Sequence, residues 1–178
     1  MRDALDLEKK ALASCAELMA SAARTSPKTR GRDNIITGVI DDRHELKDLA
    51  ENMRRISKRD NRPSLERDAG NIENLEMVFL LGVKDNPAGL NCGYCGCKTC
   101  DAMKERGGIC AFNSIDLGIA CGSSAGVAAR LHVDNRVMYS IGLAALEMGL
   151  FPKDVKQALG IPLSVSGKNP FFDRKITK

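Results

Sequence analysis

A chain of 178 residues, 43% hydrophobic and 28% charged, suffices for one globular domain with a real apolar core and is too short for two large ones. Its 27 basic and 23 acidic residues are interspersed to a net charge of +4, without the clustered basic face and stacking aromatics of a nucleic-acid binder. No apolar run of 18 residues occurs and the charged start Met1 to Lys10 has no apolar h-region, so the expectation is a cytoplasmic protein, neither exported nor membrane-spanning.

Only 4% of residues are aromatic and Trp is absent, so the core must be filled by Leu, Ile, Val, Met and Ala, which suits helices on a small sheet, an α+β class. Leu5, Leu12, Cys15, Met19 and Ala22 fall at three- and four-residue steps, predicting a long first helix that ends near Ser26-Pro27. Ile35–Ile40 reads as a strand, and Asp41-Asp42 can cap a helix with Leu46, Leu49, Met53 and Ile56 inward. Lys58 to Arg62 reads as a solvated loop, after which Ser64 caps a helix through about Leu75. The continuous apolar run Met77–Val83 has the length of a central strand, broken by Asn86-Pro87-Ala88-Gly89.

Beyond the break, Ile115 onward is apolar and rich in small residues, predicting a tightly packed helix. A second helix is expected from Asp134 to Gly149, where glycine supplies the stop. Pro152 and Lys153 are expected to open a shorter helix ending at Gly160-Ile161-Pro162, and Leu163-Ser164-Val165 to add an edge strand.

Five of the seven cysteines lie between Cys92 and Cys110, unlike the spread framework of a secreted disulfide scaffold. Setting Cys97 aside, the spacing is C-x2-C-x4-C-x9-C, through Cys92, Cys95, Cys100 and Cys110. A 4Fe-4S cubane needs four thiolates, one per iron, and a short C-x2-C loop delivers two neighbouring corners. Gly93 and Gly96 ease the curl and leave backbone N–H groups free to face cluster sulfurs. Asp101 to Arg106 can form a brief helix, and Gly107-Gly108 can turn the chain so that Cys110 returns. Structural zinc and free or disulfide-bonded thiols are the alternatives. A zinc ribbon separates its C-x2-C pairs by roughly 15–20 residues, whereas one residue separates Cys92/Cys95 from Cys97/Cys100 here. Cys15 and Cys121 fall on apolar helix faces and read as small buried hydrophobes.

The segment Asn91 to Cys110 resembles the four-cysteine 4Fe-4S domain of the Rnf-type electron-transport B subunit and of corrinoid iron-sulfur proteins. More of the chain is similar to a family of uncharacterised proteins from anaerobes that contain a ferredoxin domain. That likeness takes in Asn91 to Cys100, Ile115 to Ala120, Val133 to Arg136 and Gly167 to Arg174. Position 97 is typically apolar in that pattern, so Cys97 is a departure that leaves the second ligand open, with Cys95 preferred. That family brings no established activity; the expectation is a single domain over 1–178 with an inserted cluster-binding segment at 90–111, whose cluster passes single electrons between a soluble donor or acceptor protein and either a bound flavin or a partner enzyme.

The order of elements, from the first helix through Ala23-Arg24-Thr25-Ser26-Pro27-Lys28 onward, also resembles the nitroreductase fold: a small central sheet flanked by helices in an intimate homodimer. In that family an FMN lies at the subunit interface, and the resemblance assigns its phosphate to Arg24, Ser26, Lys28 and Arg30. The usual Arg-Ser-x-Arg opening and the aromatic residue after the loop are missing, and a solvated basic loop is the alternative. A non-catalytic interaction module with a structural metal, or a cluster with one iron open to substrate, are further alternatives that the sequence leaves standing. Asp134 is expected to cap a helix with Arg136 in a salt bridge, Lys168, Asn169, Asp173 and Arg174 stay ambiguous, and Phe171 and Phe172 are expected to anchor the C-terminal segment. His44 and His132 receive no catalytic role.

Overall fold

The computed structural model describes residues 1 and 3–172; Asp173 and Arg174 lie outside the described residues. Asp3 opens α1 (Ala4–Thr25) by accepting the Asp6 N–H at 2.9 Å, and Ser26, held extended by the following proline, ends it. Its buried stripe is Leu12, Cys15, Ala16, Met19 and Ala23; Leu5, expected inward, lies beyond the end of the core and is exposed. A 3-10 turn at Thr29–Gly31 leads into β1 (Ile35–Ile40). Asp42 then caps α2 (Arg43–Asp60) by accepting from the His44 and Glu45 amides.

The stretch expected as a loop from Lys58 is helical to Asp60. Arg59 on that turn pairs with Asp60 and Glu147, which satisfies its charge without unwinding the helix, and Asn61 in the left-handed region closes it. In α3 (Pro63–Ile72), Pro63 and not Ser64 marks the start, since a first-turn residue needs no N–H. The central strand is β2 (Met77–Lys84), followed by α4 (Cys100–Glu105), α5 (Ala111–Arg130), β3 (Asp134–Asn135), α6 (Tyr139–Glu147) and β4 (Val155–Ser164).

All strand pairs are antiparallel, in the order β1-β2-β4-β3. Val78 and Leu80 of β2 face one core with α2, α3 and α6, while Met77, Phe79, Leu81 and Val83 face another with α1 and α5. The molecule is therefore a sheet between two helical layers.

Two expected helices are corrected. The stretch from Asp134 does not wind at once: Asp134 and Asn135 pair with Ser164 and Leu163, Met138 bridges Gly160, and the helix starts only at Tyr139. Gly149 ends it as expected, at φ 72°. The segment after Pro152 is β4, central rather than at an edge; both faces of its second half are buried, which erases the alternation that would have marked a strand. Pro162, which has no N–H for a ladder, is accommodated within this strand. Gly160 turns its N–H and C=O to Met138, so by alternation Pro162 faces the same side, at the gap between Asn135 and Met138 where no ladder partner waits.

Candidate metal centre

The centre is built between the ends of β2 and α5. Past Lys84 the chain is pinned on both sides: the Asp85 amide donates to the Asp154 carbonyl at 2.6 Å, Asn34 Nδ2 donates to the Asn86 backbone carbonyl at 3.3 Å, and Asn86 Nδ2 donates to Asn34 Oδ1 at 3.1 Å. On the other side, Asn113 donates from Nδ2 to the Lys84 carbonyl at 3.1 Å and Ser114 donates from Oγ to Gln157 Oε1 at 2.7 Å, seating the first turn of α5 on the sheet ends. Residues 91 to 99 then curl without helix or strand. Asn91, Gly93 and Gly96 all take left-handed φ values, 47°, 75° and 82°, and the Gly96 amide closes a turn on the Gly93 carbonyl at 2.9 Å.

Asn91 Oδ1 accepts the Cys100 amide at 2.8 Å, closing the loop, and Thr99 Oγ1 caps α4 through the Ala102 amide. The predicted short helix is thus present, and its buried Met103 plugs it into the body. The Gly108 amide returns to the Met103 carbonyl, and Cys110 arrives buried, at the N-cap position of the 20-residue α5. Tyr94, between Cys92 and Cys95, stacks on Phe112 with ring centroids 5.7 Å apart and planes 22° off parallel. The C-x2-C turn is thereby folded towards the end of α5 that carries Cys110.

All seven cysteines are free. Cys92 is exposed, Cys95, Cys97 and Cys100 are half-buried, and Cys110 is buried. Among the described residues no three His, Cys, Asp or Glu side chains are close enough to hold a single metal ion. The donor set nonetheless has the chemistry of a cluster site. Cys92, Cys95 and Cys97 lie on the loop and Cys100 opens α4, and among the described residues the amides of 92–95 and 97–99 have no protein acceptor, so they are free for sulfur. Cys110 adds the positive end of the α5 dipole, which favours negative charge. Cys15 and Cys121 lie apart in the α1–α5 core, and burial pushes both thiols up, Cys121 to about 11.

Of the four residues expected on a flavin phosphate, Arg24 lies in the last turn of α1 and Ser26, Lys28 and Arg30 in the neighbouring α1–β1 connection. Arg24 is ion-paired with Asp33, and Ser26 Oγ donates to the Ala23 carbonyl at 2.8 Å. Lys28, with a side chain only 5% exposed, donates to the carbonyls of Ala23, Arg24 and Ser26 at 2.6–2.8 Å, so its three protons close the end of α1. Arg30, left-handed at φ 58°, donates from Nη1 to the Ala88 carbonyl at 3.1 Å, which joins this loop to the stem of the cysteine loop.

Asp116 holds the arrangement from below. Its buried carboxylate on α5 accepts the Thr29 amide at 3.0 Å and the Thr29 hydroxyl at 2.9 Å. Asp116→Ala removes the acceptor for both, and an unfolding free energy lower by about 1–3 kcal/mol is expected in urea titration, with the cysteine loop losing its neighbour. Sequence reasoning gave Asp116 no role, although a lone acid inside the apolar run Ile115 to Cys121 was its signal. Asp134, expected as a helix cap, accepts from Asn169 Nδ2 at 2.8 Å instead, because no helix begins there. Arg136 reaches Asp68 at 3.9 Å and lies 5.9 Å over the Phe172 ring, while Phe171 is buried in the core as expected and Phe172 is exposed.

Comparison with known proteins places the chain. An uncharacterised protein of Archaeoglobus fulgidus is 37% identical over 178 residues, covering 95% of both chains. Residues 106–174 match the family described as uncharacterised proteins containing a ferredoxin domain. The chain belongs to this family. The matched stretch of this ferredoxin-domain protein includes Cys110 and begins after Cys100. Among solved structures, an FMN-bound nitroreductase of Desulfitobacterium hafniense superposes with a TM-score of 0.61 at 17% identity, over 93% of this chain and 86% of that one. A nitroreductase family protein of Clostridium novyi gives 0.62 at 14%, over 85% and 73%. The ferredoxin-domain protein thus has the nitroreductase fold, as the order of its elements implied.

Proposed function

We propose that Cys92, Cys95, Cys100 and Cys110 hold one 4Fe-4S cluster and that the protein is a redox carrier exchanging single electrons with a soluble partner in the cytoplasm. The observation that carries the reading is the loop itself: left-handed Asn91, Gly93 and Gly96 around the C-x2-C turn, with Tyr94 stacked on Phe112, two residues past Cys110. The family's ferredoxin-domain description supports an iron-sulfur redox role. When bound, such a cluster supplies a one-electron couple.

The chain's own groups set its surroundings. Cys92 is exposed and would face a partner, while Cys110 is buried and would hold its iron from the protein interior. The unpaired loop amides and the α5 N-terminus both favour added negative charge, which raises the reduction potential. Residues 90–111 are in this reading the cluster-holding segment of a single domain.

An FMN at a homodimer interface extends the proposal, favoured by the FMN-bound D. hafniense structure. Lys28 has no proton left for its phosphate and Ser26 turns to the end of α1. Arg24 and Arg30 keep unused guanidinium donors and would meet the phosphate. For the dimer, α5 carries an uncovered face of Ile115, Gly118, Ile119, Gly122 and Gly126, shaped for close approach. Among the described residues no helix is long and apolar enough to cross a membrane.

Anaerobic purification tests the reading. A brown protein whose broad visible absorption bleaches with dithionite and returns on reoxidation supports it, whereas a colourless, redox-silent, zinc-containing protein refutes it. Flavin released from the same sample supports the FMN extension, and its absence removes that extension alone.

A further inference from the structure

We infer that Tyr94 and Phe112 form a clamp that positions the cluster ligands, a role that rests on the cluster reading above. Cys92 and Cys95 must share one inorganic core with Cys110, which sits 15 residues beyond Cys95 and on another element. Among the described residues no hydrogen bond joins residues 92–99 to α5, and the Asn91–Cys100 and Gly93–Gly96 bonds are internal to the loop. The ring contact is the specific link across that gap. It runs from the residue centred in the C-x2-C turn to the second residue after Cys110.

The geometry suits a hinge stop better than a core contact. Phe112 is fixed, because α5 is seated by Asn113 on Lys84 and by Ser114 on Gln157. Tyr94 is 73% exposed, so its ring contributes little burial where it stands, and Phe112 is its ring partner. An offset ring pair at this distance is attractive beyond its buried area. Its effect is to make the turn's folded-down position the ground state, so that less ordering remains when the cluster binds. Tyr94 and Phe112 are positioning residues, acting through the placing of Cys92 and Cys95.

The test uses the full chain, purified without oxygen, with Tyr94→Ala, Phe112→Ala, the double variant and Tyr94→Phe. Far-UV circular dichroism and urea unfolding of each apoprotein confirm that the fold is kept. The readout is the rate at which visible absorption is lost to an iron chelator. Each alanine variant is expected to lose its cluster roughly three- to tenfold faster than the parent, the double variant no faster than either single one, and Tyr94→Phe at the parent rate. Parent-like rates in both alanine variants, or additive effects in the double one, overturn the clamp. A parent chain without acid-labile sulfide overturns the cluster reading instead. The clamp is then read with Co2+ as probe, its thiolate charge-transfer band weakening in the alanine variants if the clamp holds and staying unchanged if it does not.

Discussion

Cys110→Ser is expected to lose the visible chromophore and at least about tenfold in cluster occupancy, measured as iron and acid-labile sulfide per chain after anaerobic purification. Cys110 is buried at the N-cap position of α5, where the Gly107-Gly108 return delivers it, and in the proposed reading it holds one of the four irons. Cys92→Ser, Cys95→Ser and Cys100→Ser are expected to fall in the same range. Cys97→Ser is expected to keep the cluster, because the C-x2-C-x4-C-x9-C frame is complete without it. Cys15→Ser and Cys121→Ser serve as controls: both thiols lie in the α1–α5 core, so they alter stability and leave iron content unchanged.

Gly142→Ala carries the largest expected cost to the fold. A Cβ at this position would stand 1.9 Å from the Ala158 carbonyl oxygen and 2.2 Å from its carbon, and both atoms belong to the backbone of β4. No rotamer relieves that contact. The helix α6 must lift from the sheet, at about 3 kcal/mol or more, which for a domain of this size lowers the melting temperature by roughly 6–12 °C. Gly118→Ala and Gly122→Ala meet open space on the outer face of α5, and in the monomer they are expected to be neutral or to stabilise by about 0.5–1 kcal/mol. The contrast separates a packing requirement from a general dislike of alanine.

Where a segment's own chemistry determined its shape, it could be read in advance. Asp42 before Leu46, Leu49, Met53 and Ile56 marked α2, the apolar run from Met77 marked the central strand, and Gly149 marked the end of α6. The cysteine spacing and its glycines likewise marked the loop and the brief helix α4. What stayed hidden depended on distant partners. Val155, Ala158 and Ile161 recur every third residue, as on a helix, and only the ladder with β2 makes them a strand. Asp134 and Asn135 leave the helical pattern because Ser164 and Leu163 offer strand bonds. In the site, the tie of Asp116 to Thr29 joins positions 87 apart in sequence, and the stacking of Tyr94 on Phe112 crosses two connecting turns, so neither had a local signature.

The joining of the basic α1–β1 loop to the cysteine loop is also a tertiary fact. Arg30 on Ala88 and the Asn34–Asn86 pair place the two loops side by side, so a group held by Arg24 and Arg30 would lie next to the stem of the cluster segment. That adjacency is the structural reason to look for two redox groups in one protein.

Quantifying iron, acid-labile sulfide and zinc on one anaerobic sample, together with an electron paramagnetic resonance spectrum of the dithionite-reduced protein, tests the central claim most directly. Roughly four irons and four sulfides per chain, with a half-spin signal that appears on reduction, are predicted. Zinc without sulfide, or a metal-free chain with seven titratable thiols after protected purification, contradicts the account.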